Sequence, residues 1–374
     1  MERRSFLRLS VVGSAAAAFG GASWLNALSA GADAGAGPYG PLQPVDASGL
    51  MLPQGFTSRI VARSGVETAG YIWHSAPDGG ACFADGAGWI YVSNSEVPLV
   101  GGVGALRFDA TGAIVDSYRT LSGTDVNCAG GATPWHTWLS CEEVDRGRVW
   151  ETDPWGVDEA VVRPAMGVFK HEACAVDEDR HVVYLTEDVP DGGFYRFTPT
   201  GWPDLSTGLL EIMVDGEDGV GWARVPDPSA ATGPTRHQVA DAKRFNGGEG
   251  CYYAAGTCWF TTKGDNRVWA YDAVANTLSL TYDDSQPLSG VDNVTRAASG
   301  DLFVAEDGGN LEICLITPDG VVAPFVRVLG HDQSEITGPA FSPDGSRLYF
   351  SSQRGTTGSP AAGVTFEVTG PFRS

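Results

Sequence analysis

A six-bladed β-propeller is the all-β fold this sequence predicts, and three observations carry the prediction. The 374 residues include 50 Gly and 22 Pro and show little helical periodicity, the punctuation of many short strands. Six apolar strands end in polar residues: "WIYVSNSE" (89–96), "TWLSCEEV" (137–144), "VVYLTEDV" (182–189), "CWFTTKGD" (258–265), "DLFVAEDG" (301–308) and "RLYFSSQR" (347–354). Their starts are 48, 45, 76, 43 and 46 residues apart, and steps of roughly 40–50 residues are those of propeller blades.

Within each unit the order repeats. A turn signal precedes the marker strand, as at Asp85-Gly86, Asp177-Glu178-Asp179, Ala255-Gly256, Ser299-Gly300 and Asp344-Gly345. A further strand follows it, as in "GALRFD" (104–109), "GFYRFTP" (193–199), "RVWAYD" (267–272), "LEICLI" (311–316) and "GVTFEV" (363–368). Such alternation reads as antiparallel meanders. The long third step implies an insertion between the third and fourth blades. A seven-bladed propeller, its extra blade within 190–245, is the alternative.

The N-terminus sets the compartment. Arg3-Arg4-Ser5-Phe6-Leu7-Arg8 opens onto an uncharged, Ala/Gly-rich stretch from Leu9 to Ala30, the pattern of a twin-arginine export signal. Residues 1–34 are therefore expected to be a leader and 35–374 a single propeller domain, exported folded to the periplasm or beyond the cell. No other stretch is long and apolar enough to span a bilayer. The chain carries −22, and residues 1–30 hold three Arg against one Glu, leaving about −24 for the remainder. That field repels nucleic acid and anionic membranes and draws cations. Calcium suits it best, because hard cations take carboxylate oxygens.

A second periodic set lies upstream of the marker strands: Asp78, Cys128, Glu172, Glu249, Asp292 and Glu335, the last five spaced by 44, 77, 43 and 43. The first strand of each propeller blade lines the central channel, so residues in phase converge on the axis. Five carboxylates and a thiol around one opening repel one another, and bound cations relieve the repulsion. A second ring is expected where the marker strands end, at Asn94 and Glu96, Glu142 and Glu143, Glu187 and Asp188, Asp265, Glu306 and Asp307, and Gln353. Neighbours on a strand face opposite ways, so one member of each acid pair points inward; Glu142, Glu187 and Glu306 are assigned that role.

Seven cysteines leave at least one unpaired within the chain. Cys251 and Cys258 flank a hairpin turn and are either a disulfide or two buried thiols, and Cys128 is a candidate for the odd one out. His74 and His237 are read as packed or solvated.

The stretch Asn127-Cys128-Ala129-Gly130-Gly131, followed by Thr133-Pro134-Trp135-His136-Thr137-Trp138-Leu139-Ser140-Cys141-Glu142-Glu143, resembles the signature of the PhoX family of alkaline phosphatases. So do "FKHEA" (169–173), "VYLTED" with "DGGFYRFTP" (183–199), and "TGPAFSPDGSRLYFSSQ" (337–353). The resemblance implies a propeller holding Fe3+ and Ca2+ in its channel mouth and hydrolysing phosphomonoesters. It implies iron on Cys128, iron or calcium on Glu142, Glu172, Glu249 and Asp292, calcium on Glu335, and phosphate contact by Asn94. Three departures stand out. Gly247-Gly248-Glu249 replaces the family's Arg-Pro-Glu, so Arg244 or Lys263 is expected to clamp phosphate instead. His136 replaces a glycine between the tryptophans, where its imidazole could crowd the site or become a ligand. Asn94-Ser95-Glu96 lacks the usual middle histidine.

The resulting expectation is a monomeric metal-dependent phosphomonoesterase acting on a small phosphate ester, with Asn94, Arg244 and Glu249 at the reaction. A calcium-dependent lactonase or esterase, and a non-enzymatic calcium-binding envelope propeller, are the competing readings.

Overall fold

The computed structural model describes residues 37–216, 219–285 and 287–374; the expected export signal lies outside them. Six sheets of four or five strands follow one another as antiparallel meanders. Their innermost strands are Pro77–Asp85, Asn127–Ala132, His171–Asp177, Gly248–Ala254, Val291–Arg296 and Ile336–Phe341. Thr57–Arg63 pairs with the last strand, Val364–Thr369, and so supplies the outer strand of blade six. Closing the ring with a strand from the other end of the chain hides an edge that would otherwise stand unpaired. Leu50–Met51 extends blade five in the same way.

No seventh blade exists among the described residues. The long third step forms two strands, Asp204–Gly216 and Gly219–Arg224, that lengthen blade three to five strands, followed by a connection that leads to blade four. The turn between Ala254 and Thr257 needs positive φ at both central residues, 49° at Ala255 and 85° at Gly256, which glycine adopts freely and alanine does not.

The core lies between blades. Each of six apolar clusters joins two neighbouring sheets, and together they close the circle. Phe194 of blade three stacks on Phe260 of blade four at 4.1 Å, and Tyr91 of blade one on Tyr349 of blade six at 4.9 Å. Truncating such a buried ring costs about 3–5 kcal/mol. The strands read as nearly continuous apolar runs because both of their faces are covered by a neighbouring blade.

Candidate metal centre

Every inner strand carries a β-bulge close to its start, where three steps on the inner strand oppose two on its partner. A bulge re-aims the side chain it carries. In the first five blades the first bulged residue is Asp78, Cys128, Glu172, Glu249 or Asp292, all predicted as in phase. They are buried at the channel mouth, with Cys128 partly so.

The sixth blade departs from the spacing. Its bulge falls on Gly338 and Pro339, and Glu335 enters from the loop ahead of the strand. Glu335 nevertheless joins Asp292 and Asp307 in one group of potential ligand atoms within 4.8 Å of one another.

Four such triads follow one another around the mouth and share members: Asp78, Glu96 and Cys128; Cys128, Glu143 and Glu172; Glu172, Glu249 and Asp292; Asp292, Asp307 and Glu335. They border a cavity of about 120 Å³, lined also by Lys263, Thr337 and Arg354. The inner strands meet tightly below it. A Cβ at Gly79 would stand 2.5 Å from the Ala129 Cα, and one at Gly250 2.6 Å from the Val294 nitrogen.

The second ring corrects the sequence-based choice in all three acid pairs. Counting across each hairpin, the residue after the last paired one is Glu96, Glu143, Asp188, Lys263, Asp307 or Gln353. Glu142, Glu187 and Glu306 instead bind backbone. Glu142 accepts from the Asp125 and Arg148 amides at 3.2 and 3.1 Å. Glu187 accepts from the Gly193 amide at 2.9 Å, and its other oxygen meets Arg236 at 2.8 Å. Glu306 accepts from the Ser289 and Glu312 amides at 2.8 and 3.0 Å. Asp265 turns to Thr262 and Arg267.

Asn94 does not border the mouth cavity. It is fully buried, and its amide nitrogen donates to the Cys128 and Ala129 carbonyls at 3.0 and 2.8 Å. Its oxygen accepts from Trp138 and Ser140, both at 2.9 Å. The expected phosphate ligand thus ties blade one to the bulge of blade two. Thr186 and Thr261 make comparable ties, donating to the Glu249 and Asp292 carbonyls. Arg244 is exposed, bonds the Arg236 carbonyl, and does not border the mouth cavity.

The cations at the mouth are Lys263, Arg354 and Lys170. Lys263 Nζ lies 2.9 Å from Glu249, 3.3 Å from Asp307 and 3.7 Å from Asp292. Arg354 reaches Glu335 at 2.9 Å, and Lys170 bridges Glu143 and Asp188 at 2.8 and 2.7 Å. Arg354 and Lys170 escaped sequence reasoning, whereas Lys263, one of the two expected phosphate clamps, also shares the phase of Glu96 and Glu143.

His136 sits at the turn between the first two strands of blade two, away from the end that carries Cys128, and so cannot crowd the mouth. His74 is buried against Trp73 at 4.3 Å, and His237 is exposed beside Asp191. Cys251 and Cys258 touch as thiols, with sulfurs 3.4 Å apart.

Burial and mutual repulsion set the electrostatics. Burial, then Glu96 and Glu335, push the Asp78 carboxyl well up. Burial and Glu249 do the same to Glu172, and burial and Asp292 to Glu249. Burial raises Glu96 to about 8 and Glu335 to about 9, and Asp292 only to about 6, because Lys263 opposes the shift. The Cys128 thiol is likewise raised by burial and its acidic neighbours, and it donates to Glu172 Oε1 at 3.1 Å. The other oxygen, Glu172 Oε2, is buried with no partner. An orphaned carboxylate oxygen beside a thiol, in a site that resists its own ionisation, fits a multivalent cation.

Comparisons with known proteins bear on the fold and the family. No curated protein sequence matches the chain. Among solved structures, that of Pseudomonas fluorescens PhoX in complex with vanadate, described as a transition state analogue, superimposes with a TM-score of 0.72 at 16% identity, covering 88% of this chain and 97% of that one. A Xanthomonas campestris gluconolactonase gives 0.52 at 14% identity, covering 89% and 99%. A Bacteroides thetaiotaomicron protein of unknown function gives 0.54 at 9% identity, covering 84% and 76%. At these identities the likeness speaks for the six-bladed fold. The model of the alkaline phosphatase PhoX family matches residues 93–153, 145–269 and 260–355, a span that contains all but one of the bulged ligand positions; with its matched residues seated around one mouth, the chain belongs to the PhoX family.

Proposed function

We propose that this protein is an exported phosphomonoester hydrolase whose iron and calcium ions sit in the channel mouth. The observation that carries the reading is the unbroken run of four ligand triads joined through Cys128, Glu172 and Asp292. The thiol is the soft donor that suits iron, and the flanking carboxylates are hard donors that suit calcium. The solved PhoX relative holds vanadate, a phosphoryl-like oxyanion. A calcium-only lactonase or a structural calcium propeller leaves the Cys128–Glu172 pair without a use.

Cys128, Glu172 and Glu143 would hold the iron-rich part of the cluster; Glu249, Asp292, Asp307 and Glu335 would hold calcium. Such ions, when bound, supply Lewis acidity at phosphoryl oxygens and neutralise developing charge. The chain itself supplies orientation. Lys263 and Arg354 both line the mouth cavity and both approach Asp307; with metal ions taking over the carboxylates they pair with, they would offer cationic donors to phosphate in place of the family arginine missing at Gly247. Inter-blade ties from Asn94, Thr186 and Thr261 fix the bulges, so the ligand atoms are held by rigid strands. Residues 1–34 would direct folded protein out of the cytoplasm as a monomer.

Metal analysis and aryl phosphate hydrolysis on protein exported by its own signal test this reading, in wild type and Cys128→Ala. Iron with calcium, and joint loss of iron and hydrolysis in the variant, is expected. Retention of both in the variant would overturn the assignment of Cys128.

A further inference from the structure

Beside the mouth lies a second cavity of about 300 Å³, built by the loops after Glu143 and Asp188, the entry to blade three and the connection ahead of blade four. Its apolar lining is Val168, Phe169 and Val189, with Pro234 exposed at the edge, and its polar lining holds Arg146, Lys170 and Arg236 against the single acid Asp145. Three cations in one groove is a local inversion in a chain of net charge −22.

The groove adjoins the reacting end. Lys170 lines it while its Nζ touches Glu143, which borders the mouth cavity. Lys170 and Arg236 are already committed to carboxylates, Glu143 and Asp188 for the first, Glu187 and Asp191 for the second. Arg146 differs. It is exposed and oriented by the Ser229 and Ala230 carbonyls at 3.2 and 3.3 Å. Among the described residues no carboxylate pairs with it directly, and Asp227 feels its charge only at longer range, so its remaining N–H groups are open to a ligand.

We infer that this groove is the leaving-group subsite of the proposed phosphatase, and that it selects esters whose alcohol portion carries an oxyanion such as a carboxylate. The inference rests on the mouth being the phosphate site. A strongly anionic protein repels an anionic ester at long range, but screening confines that repulsion to roughly 8 Å at physiological salt. A counter-charge within the groove then decides which esters settle. The apolar lining around Phe169 takes the carbon chain between the two charges.

The test measures binding to the metal-loaded full chain with two probes that cannot be hydrolysed, propylphosphonate and 3-phosphonopropionate, which differ in a terminal carboxylate. Calorimetry on wild type is expected to give the carboxylated probe about tenfold tighter binding, the worth of one partly solvated charge-assisted hydrogen bond. In Arg146→Ala that ratio falls towards one. Equal affinity for both probes in wild type, or an unchanged ratio in the variant, overturns the subsite. Hydrolysis of an aryl phosphate whose aryl group is uncharged is followed in parallel. Hydrolysis without the tenfold preference rejects the groove alone. Absence of both hydrolysis and phosphonate binding rejects the mouth as a phosphate site and the groove with it.

Discussion

Lys263→Met removes an ammonium while keeping an unbranched stem, and its consequences follow from three distances. Nζ stands 2.9, 3.3 and 3.7 Å from carboxylates of Glu249, Asp307 and Asp292. Burial acts to lower the Lys263 pKa, but Asp292, Glu249 and Asp307 together hold it far above its usual value. Removing one partner of a buried pair costs about 3–5 kcal/mol. The Lys263 side chain is 35% exposed, so solvent screening reduces this to about 2 kcal/mol for metal-free protein. With an unfolding entropy of about 2.1 cal/mol/K per residue, a domain of this size should then melt about 3 °C lower.

Calcium is expected to reverse the loss, because removing the ammonium frees a further cation position among these three carboxylates, beside the ion that Asp292, Asp307 and Glu335 are proposed to hold. A ligand at a hundred times its Kd contributes about 2.7 kcal/mol, enough to offset the missing ammonium. Thermal unfolding of chelator-treated wild type and Lys263→Met is therefore expected to show a gap near 3 °C that closes as calcium rises. Calorimetric titration should show additional calcium bound by the variant. A gap that stays constant across the calcium series, with equal stoichiometry, would refute the view that Lys263 occupies a cation position.

Two further outcomes separate site from scaffold. Glu142→Gln should lower stability by about 1–2 kcal/mol through weakened bonds to the Asp125 and Arg148 amides and keep its metal, whereas Glu143→Gln should lose metal; elemental analysis giving the opposite order would return the ligand role to Glu142. His74 tests the pH dependence. Burial, aided by the Arg119 cation, holds it at about 3 against 6.5, so only the unfolded chain takes up its proton between those values. Its contribution is present above pH 6.5 and is lost as pH falls towards 3, at up to ~1.4 kcal/mol per unit. Urea midpoints from pH 7 to 5 should fall less steeply in His74→Phe, and parallel slopes would exclude the histidine as the source.

Blade number was legible because each repeat is one meander and the closure of the ring adds no new signal. The first ring was legible for five members because bulge and ligand travel together at the start of each inner strand. Glu335 kept the spacing for a different reason: it precedes a bulge moved to Gly338, and no periodicity distinguishes the two cases. The second ring was legible as a position and not as a residue. Alternation states that one of Glu142 and Glu143 faces inward, but which one depends on hairpin register, and the bulge shifts that register by one. Asn94 misled for a related reason. A buried amide with four partners and a phosphate-binding amide look alike in sequence, and only the neighbouring blade decides.

The acid doublets gain a single physical account from this register. The first member of each, Glu142, Glu187 or Glu306, accepts from an amide at or one residue before the start of the third strand of its own blade, at Arg148, Gly193 or Glu312. The second member, Glu143, Asp188 or Asp307, turns towards the mouth and its cations. One carboxylate therefore fixes the loop that carries the other. The pinned acids need no metal to find partners, since backbone amides supply them, while the inward acids repel until a cation arrives. A doublet is thus a ligand together with its own support, and the scaffold around the mouth is set before any ion is bound. Preorganisation of this kind lowers the ordering cost of metal binding, and it explains why adjacent acids recur in three blades where a lone ligand would have sufficed for coordination.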